Sequence, residues 1–143
     1  MDIRIKMTPE LQPLMARLGS DVKEGIHAGL TNLTAEIEAR AVKATPVKTS
    51  NLVNSITSFV TGNQGVIRAT APYASFVHDG TAPHIIRPKN KKALAWPGGG
   101  HPVKGVKHPG TKGKPFFDIA VSQIDPQKAF GEGIQNFLTQ RGW

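Results

Sequence analysis

Four of the five histidines, His78, His84, His101 and His108, fall close together in the sequence, and imidazole is a common metal ligand. A zinc site would need an i, i+4 helical pair or a short-loop pair plus further ligands. Residues 80–117 hold no carboxylate to complete one, and the lysines among them would repel a cation. Ser75, His78 and Asp79 have the residue types of a hydrolytic triad. Triads, however, are recognised by geometry that sequence neighbours rarely achieve, and no Gly-x-Ser-x-Gly elbow is present. Gly98-Gly99-Gly100 lacks the Gly-Lys-Ser/Thr ending of a phosphate loop and reads as a flexible tip. The acids cluster on helical stretches, so no carboxylate pair is set in a loop for acid–base work. With no cysteine, a disulfide framework, a thiolate zinc site and a cysteine nucleophile are excluded. These residues imply no cofactor, no metal and no enzyme; a hydrolase around Ser75 and His78 stands third among the readings.

The strongest chemical signal is charge. The chain has 143 residues, 18 Lys+Arg against 10 Asp+Glu, and a net charge of +8. Residues 1–43 balance, and the excess lies in residues 87–115, which carry Arg87, Lys89, Lys91, Lys92, Lys104, Lys107, Lys112 and Lys114 without one acid. Pro88, Pro97, Pro102, Pro109 and Pro115 alternate there with Gly98-Gly99-Gly100, Gly105, Gly110 and Gly113. Such a segment sustains no long helix and reads as an extended arm or long hairpin loop. Trp96, beside Pro97, is the candidate exposed anchor; Tyr73, Phe76, Phe116 and Phe117 are expected in the core. The segment has three readings: a solvated loop, a phosphate-binding surface, or an arm that orders itself on a neighbouring protein.

These side chains need a scaffold, and its elements are legible. Met1–Met7 alternates apolar and charged residues, as a strand or extended arm does. Thr8-Pro9-Glu10 starts a short helix that Gly19 ends, with Ser20 capping the next. Val22, Ile26, Leu30, Leu33, Ile37 and Ala41 then form one apolar stripe on a helix of about 24 residues, and Thr45-Pro46 stops it. Gly25 and Gly29, four apart, predict close approach of another backbone. Ser55–Thr61 and Val66–Thr70 are β-branched runs joined by Gly62-Asn63-Gln64-Gly65, a hairpin. Pro72–Val77 is ambiguous between helical turn and strand. His84–Ile86 and Ala93–Trp96 are short strand candidates, and Lys104–Lys107 a return strand. Pro115 opens one helical stretch and Asp125-Pro126 another, in which Ala129, Phe130, Ile134, Phe137 and Leu138 recur.

Helices, then strands, then helices predict an α+β fold: an antiparallel sheet packed against a long N-terminal helix and a C-terminal helix, with a long basic hairpin loop. The length predicts one domain over 1–143, divided into an N-terminal arm and short helix (1–19), the long helix (20–45), the sheet with its basic loop at 87–115 (55–115), and a C-terminal helical region (116–143). The expected setting is soluble and intracellularly made, since no apolar run approaches a membrane span and the charged start is no signal peptide.

Three blocks together resemble the siphophage neck and tail-completion family, which covers head–tail joining proteins and minor tail components. The first is Ala41-x-x-Ala44-x-Pro46-Val47-x-Thr49-x-x-Leu52-x-x-Ser55-Ile56. The second is Ala71-Pro72-Tyr73-Ala74-x-x-Val77-x-x-Gly80-Thr81. The third is His108-Pro109-Gly110-Thr111-Lys112-x-x-Pro115-Phe116-Phe117-x-x-Ala120. They occur in the family's order and span roughly residues 36–121. Two departures stand out: Lys48-Thr49-Ser50 replaces a Thr-Gly pair often preceded by Asp, and the acid before Gly80-Thr81 is shifted to Asp79.

The resemblance implies a structural virion protein of the head–tail junction, with no catalytic residues to transfer. Its implied partners are further copies of itself in a ring, a hexamer or dodecamer in the virion and a monomer when isolated under template-driven assembly. Adjacent neck and tail proteins, and non-specific contact with packaged DNA, complete the set; no membrane is implied. The expected location is the virion, after assembly in the host cytoplasm. The alternative from another class is a small nucleic-acid-binding module using the loop at 87–115.

Overall fold

The computed structural model describes residues 1–9, 13, 19–47 and 50–142. Most of the short helix expected before Gly19 lies outside them, as do Lys48 and Thr49 of the first block. The long helix, α1 (Ser20–Ala44), carries the expected stripe, but its first turn is left uncovered: Leu30, Leu33, Ile37 and Ala41 are buried while Val22 is 47% exposed. Periodicity marks an apolar face and not what covers it. Ser20 is the first helical residue and not the cap; Gly19 holds the cap position in extended backbone with no side-chain bond. The far end is tied as expected. The Thr45 amide donates to the Ala41 and Val42 carbonyls, and its hydroxyl to Ala41 O at 2.7 Å, so the buried threonine satisfies itself before Pro46.

After a short helix, α2 (Ser50–Asn54), the chain forms a β-hairpin from β2 (Ile56–Thr61) and β3 (Gln64–Ala69). Its turn is tighter than expected: Gln64 and Gly65 already pair, leaving Gly62-Asn63 as a two-residue loop with Gly62 at φ 56°. The N-terminal strand β1 (Asp2–Lys6) adds to the other side of β3, so all three strands are antiparallel to their neighbours in the order β1-β3-β2. Asp2 and Arg68 face each other across that ladder. The Arg68 guanidinium donates at 2.9 and 3.0 Å to the two Asp2 oxygens, and these bonds hold the carboxyl below its ordinary range against a smaller desolvation effect.

The α1 helix lies across this sheet, with Leu33, Ile37 and Ala41 against Ile56, Ile67 and Ala69. The ambiguous segment is a helix, α3 (Ala74–Asp79), placing Ala74 in the same core. The chain then runs through two small ladders. Strand β4 (Gly80–Thr81) pairs with β7 (Thr111–Lys112), and β5 (His84–Ile86) pairs with β6 (Val106–His108). The strand expected at Ala93–Trp96 does not form; one bridge joins Leu94 to Val103.

The core is closed by α4 (Phe116–Ser122) and α5 (Pro126–Gln140). Phe116 and Phe117 are fully buried, each of a size whose truncation costs about 3–5 kcal/mol. Asp125 caps α5, its Oδ1 accepting from the Gln127 and Lys128 amides at 3.1 and 3.2 Å. The predicted close approach on α1 occurs at Gly29: a Cβ there would lie 2.7 Å from the Phe130 ring, and one on Gly133 would lie 2.6 Å from Ala28 O. Gly25 meets only the Phe137 ring, at an ordinary 3.5 Å. Asn32 Nδ2 donates to Ala129 O at 2.7 Å, and Arg141 pairs with Asp21 at 3.1 Å and with Glu24, so both ends of the α1–α5 contact are fixed. The architecture is α+β: a long N-terminal helix and a C-terminal helix packed with small antiparallel sheets.

Candidate functional site

Residues of all three sequence blocks meet at one place. Pro46 and Leu52 from the first, Tyr73 and Val77 from the second, and Thr111 and Lys112 from the third line a groove of about 310 Å³. Phe76, Thr81 and Lys114 complete its rim. The second and third blocks are joined by backbone. Lys114 donates its amide to Val77 O at 2.8 Å, and the Thr111 amide donates to Thr81 Oγ1 at 3.0 Å. Three glycines make this crossing possible. A Cβ on Gly80 would stand 2.4 Å from Thr111 O, on Gly110 2.2 Å from Thr81 O, and on Gly113 2.5 Å from the Asp79 carbonyl carbon. Gly80 and Gly110 also adopt φ of 80° and 85°, where a side chain is strained. Beneath the crossing, the His78 ring stands edge-on to Phe116 at 5.1 Å. The His108 Nδ1 accepts the Gly110 amide at 3.1 Å, holding the Pro109-Gly110 turn. Pro115 precedes α4 and starts it, sending Phe116 inward.

The motif residues are therefore of two kinds. Leu52 and Phe116 are core, and Gly80, Gly110 and Thr81 hold two strands together. Tyr73, Pro46 and the neighbouring Phe76 present apolar surface to the groove. Phe76 is 59% exposed, against the expectation that it is core; it lies on the outer side of a six-residue helix whose inner side holds Ala74 and His78. Gly113 was not singled out from the sequence, although its place in Lys112-Gly113-Lys114 between paired segments offered a signal.

The basic side chains form no such cluster. Arg87, Lys89, Lys91, Lys92, Lys104, Lys107, Lys112 and Lys114 are all exposed, and among the described residues none is paired with a carboxylate. Lys112 and Lys114 reach the groove; the other six lie along the segment between β5 and β7. Trp96 opens a turn within it. The Gly99 amide donates to Trp96 O at 3.0 Å, with Pro97 and Gly98 (φ 85°) at the centre of the turn. The indole lies over Gly99, where a Cβ would be 2.9 Å from the ring, and remains 49% exposed.

The catalytic candidates fare differently. His78 is only 6% exposed; its Nδ1 lies 2.6 Å from Asp79 Oδ1, and its buried Nε2 has no hydrogen-bond partner among the described residues, Ser75 included. The imidazole is enclosed by Phe116 and Phe117 and does not address the exposed serine. His84 and His108 face each other across the β5–β6 ladder with ring centroids 5.0 Å apart. No group of three or more metal-ligating side chains occurs among the described residues, and no helix there is long and apolar enough to cross a membrane.

Compared with known proteins, residues 10–80 match the HK97-gp10-like family model, described as "Bacteriophage HK97-gp10, putative tail-component". No curated protein and no solved structure matches the chain. The matched region covers the first sequence block and the second as far as Gly80. A tail component has a structural role in the virion and works against other phage structural proteins. Over residues 10–80 this chain is similar to the HK97-gp10-like family of bacteriophage tail components.

Proposed function

We propose that the protein is a non-enzymatic component of the phage head–tail junction, a neck or tail-completion subunit that forms a ring and joins tail to head. The observation that carries this reading is the match to phage tail components over residues 10–80, together with the groove that gathers Pro46, Tyr73, Thr111 and Lys112. A ring subunit needs two complementary faces whose contact closes on itself. The helical body supplies one rigid side. The exposed cations of residues 87–115, none paired with a carboxylate among the described residues, and the half-exposed Trp96 suit contact with a neighbouring subunit, an adjacent neck or tail protein, or packaged DNA. Ordering the arm against a partner offsets its entropy, so a monomer that closes only on its template accords with the same role.

Removing the gene should leave filled heads and complete tails that do not join, and supplying the wild-type protein should restore joining. Neutralising Lys104, Lys107, Lys112 and Lys114 together should leave thermal unfolding unchanged and impair joining. Normal infectivity of that variant would remove the docking role of these lysines.

The eight exposed cations also support the second reading, a small nucleic-acid-binding module. If all eight met phosphates, log affinity for DNA would fall with log salt at a slope near about −7. A slope near zero would eliminate that module.

A further inference from the structure

The three-stranded sheet has two edges with no partner strand among the described residues, and the hydrogen-bond parity fixes what each presents. The Thr70 amide donates to Ser55 O, so Ser55, Thr57, Phe59 and Thr61 direct their backbone groups at β3. Ile56, Ser58 and Val60 therefore turn theirs to the open side. On the opposite edge Met1 exchanges bonds of 2.9 and 3.2 Å with Ala69, which leaves the backbone groups of Asp2, Arg4 and Lys6 outward.

The two edges are unequal. Strand β1 carries a charge at every second residue. Strand β2, Ile-Thr-Ser-Phe-Val-Thr, has six residues with no charge and no proline, none of the devices by which an edge is kept from pairing. Their side-chain patterns agree. Ile56, Ser58 and Val60 lie on the α1 side of β2, as Ile3 and Ile5 do on β1; the alternate residues lie on the outer face. Side by side, the two edges keep every apolar residue of β1 on the helix side without a one-residue slip. Ile3, Ile5 and Val60 are only half-buried in the single chain and would be covered by such a contact. On the outer face Phe59 is 40% exposed with Arg68 at 5.2 Å on one side, leaving its other side for a second cation such as Arg4.

We propose that β2 of one copy pairs with β1 of a second copy, so that the sheet runs on from subunit to subunit. Both strands are antiparallel to β3 and hence parallel to each other, and copies related by rotation meet in parallel pairing. The contact joins different surfaces of the two partners, the kind that closes into a ring. This deepens the ring reading above and rests on it.

The chain has no cysteine, so introduced thiols report contacts without background. Arg4→Cys is combined in turn with Thr57→Cys, Phe59→Cys and Thr61→Cys, each double variant having native circular dichroism. A short bismaleimide is applied to the purified protein and to phage particles carrying it. At least one double variant should give a ladder of covalent multimers, and the single variants none. Dimers from Phe59→Cys alone would show two-fold pairing of β2 and overturn the proposal, as would no ladder from any double variant in either setting. Val60→Pro removes an outward amide and leaves the bonds to β3, so it should fold and abolish the ladder; a full ladder from it overturns the proposal. Particles that contain the protein but give no ladder count against the edge pairing alone. Particles that lack it count against the tail role, and the purified protein still reads the edge.

Discussion

Gly80 and Gly113 lie backbone against backbone: a Cβ on Gly113 would stand 2.7 Å from the Gly80 amide nitrogen. That contact holds the β4–β7 crossing against α3 and sets the groove between the sequence blocks. Gly113→Ala should therefore destabilise the fold by about 1–3 kcal/mol or more, the range for forcing atoms into filled space. Gly98→Ala has open space around it and carries only the left-handed backbone penalty, about 1–2 kcal/mol. Chemical denaturation of the two variants checks the order; equal stability of Gly113→Ala and wild type would contradict the crossing.

The α1–α5 contact gives a second discriminating pair. Gly133 leaves no room for a methyl group, whereas Gly131, two residues earlier on the same helix, has nothing within 4 Å. Gly133→Ala should lose stability by about 1–3 kcal/mol through overpacking. Gly131→Ala should gain up to about 1 kcal/mol from helix propensity. Thermal melts of both variants read the opposite signs.

How much of this was legible in advance differs from element to element. The long helix, the hairpin and the Asp125-capped helix follow from local rules: a 3.6-residue stripe, β-branched runs around a glycine turn, and an Asp-Pro start. The β4–β7 ladder does not, since two-residue strands carry no periodicity and their pairing depends on glycines thirty residues apart. Val22 and Phe76 show the other limit, because apolar residues at proper spacing say nothing about whether a neighbour covers them. The three-block resemblance pointed to the region of the groove, but Gly113 and Phe76 could be assigned their places only once the crossing was seen.

Acid should weaken the join between β1 and β3. The Arg68 hydrogen bonds lower the Asp2 carboxyl below its value in the unfolded chain, so its contribution is present above the unfolded value and is lost as pH falls through the folded one. Asp2→Asn should be less stable than wild type near neutrality, and the difference should vanish in strong acid. Denaturant titrations at several pH values follow the gap; one that persists unchanged at the lowest pH would contradict the pairing.

Phe76 is large, apolar and exposed at the groove rim. Phe76→Ser should leave the melting temperature almost unchanged, because little buried area is lost, and should lower particle yield if the groove is a contact surface. A normal yield would assign the groove to the fold alone.

The proposed role is a ring where tail meets head. Electron cryomicroscopy of purified particles, with the subunits located and counted, tests it most directly. A closed ring of identical copies at the junction, a hexamer or dodecamer, is the expected result. Absence from the particle, or copies spread along the tail tube, would contradict it.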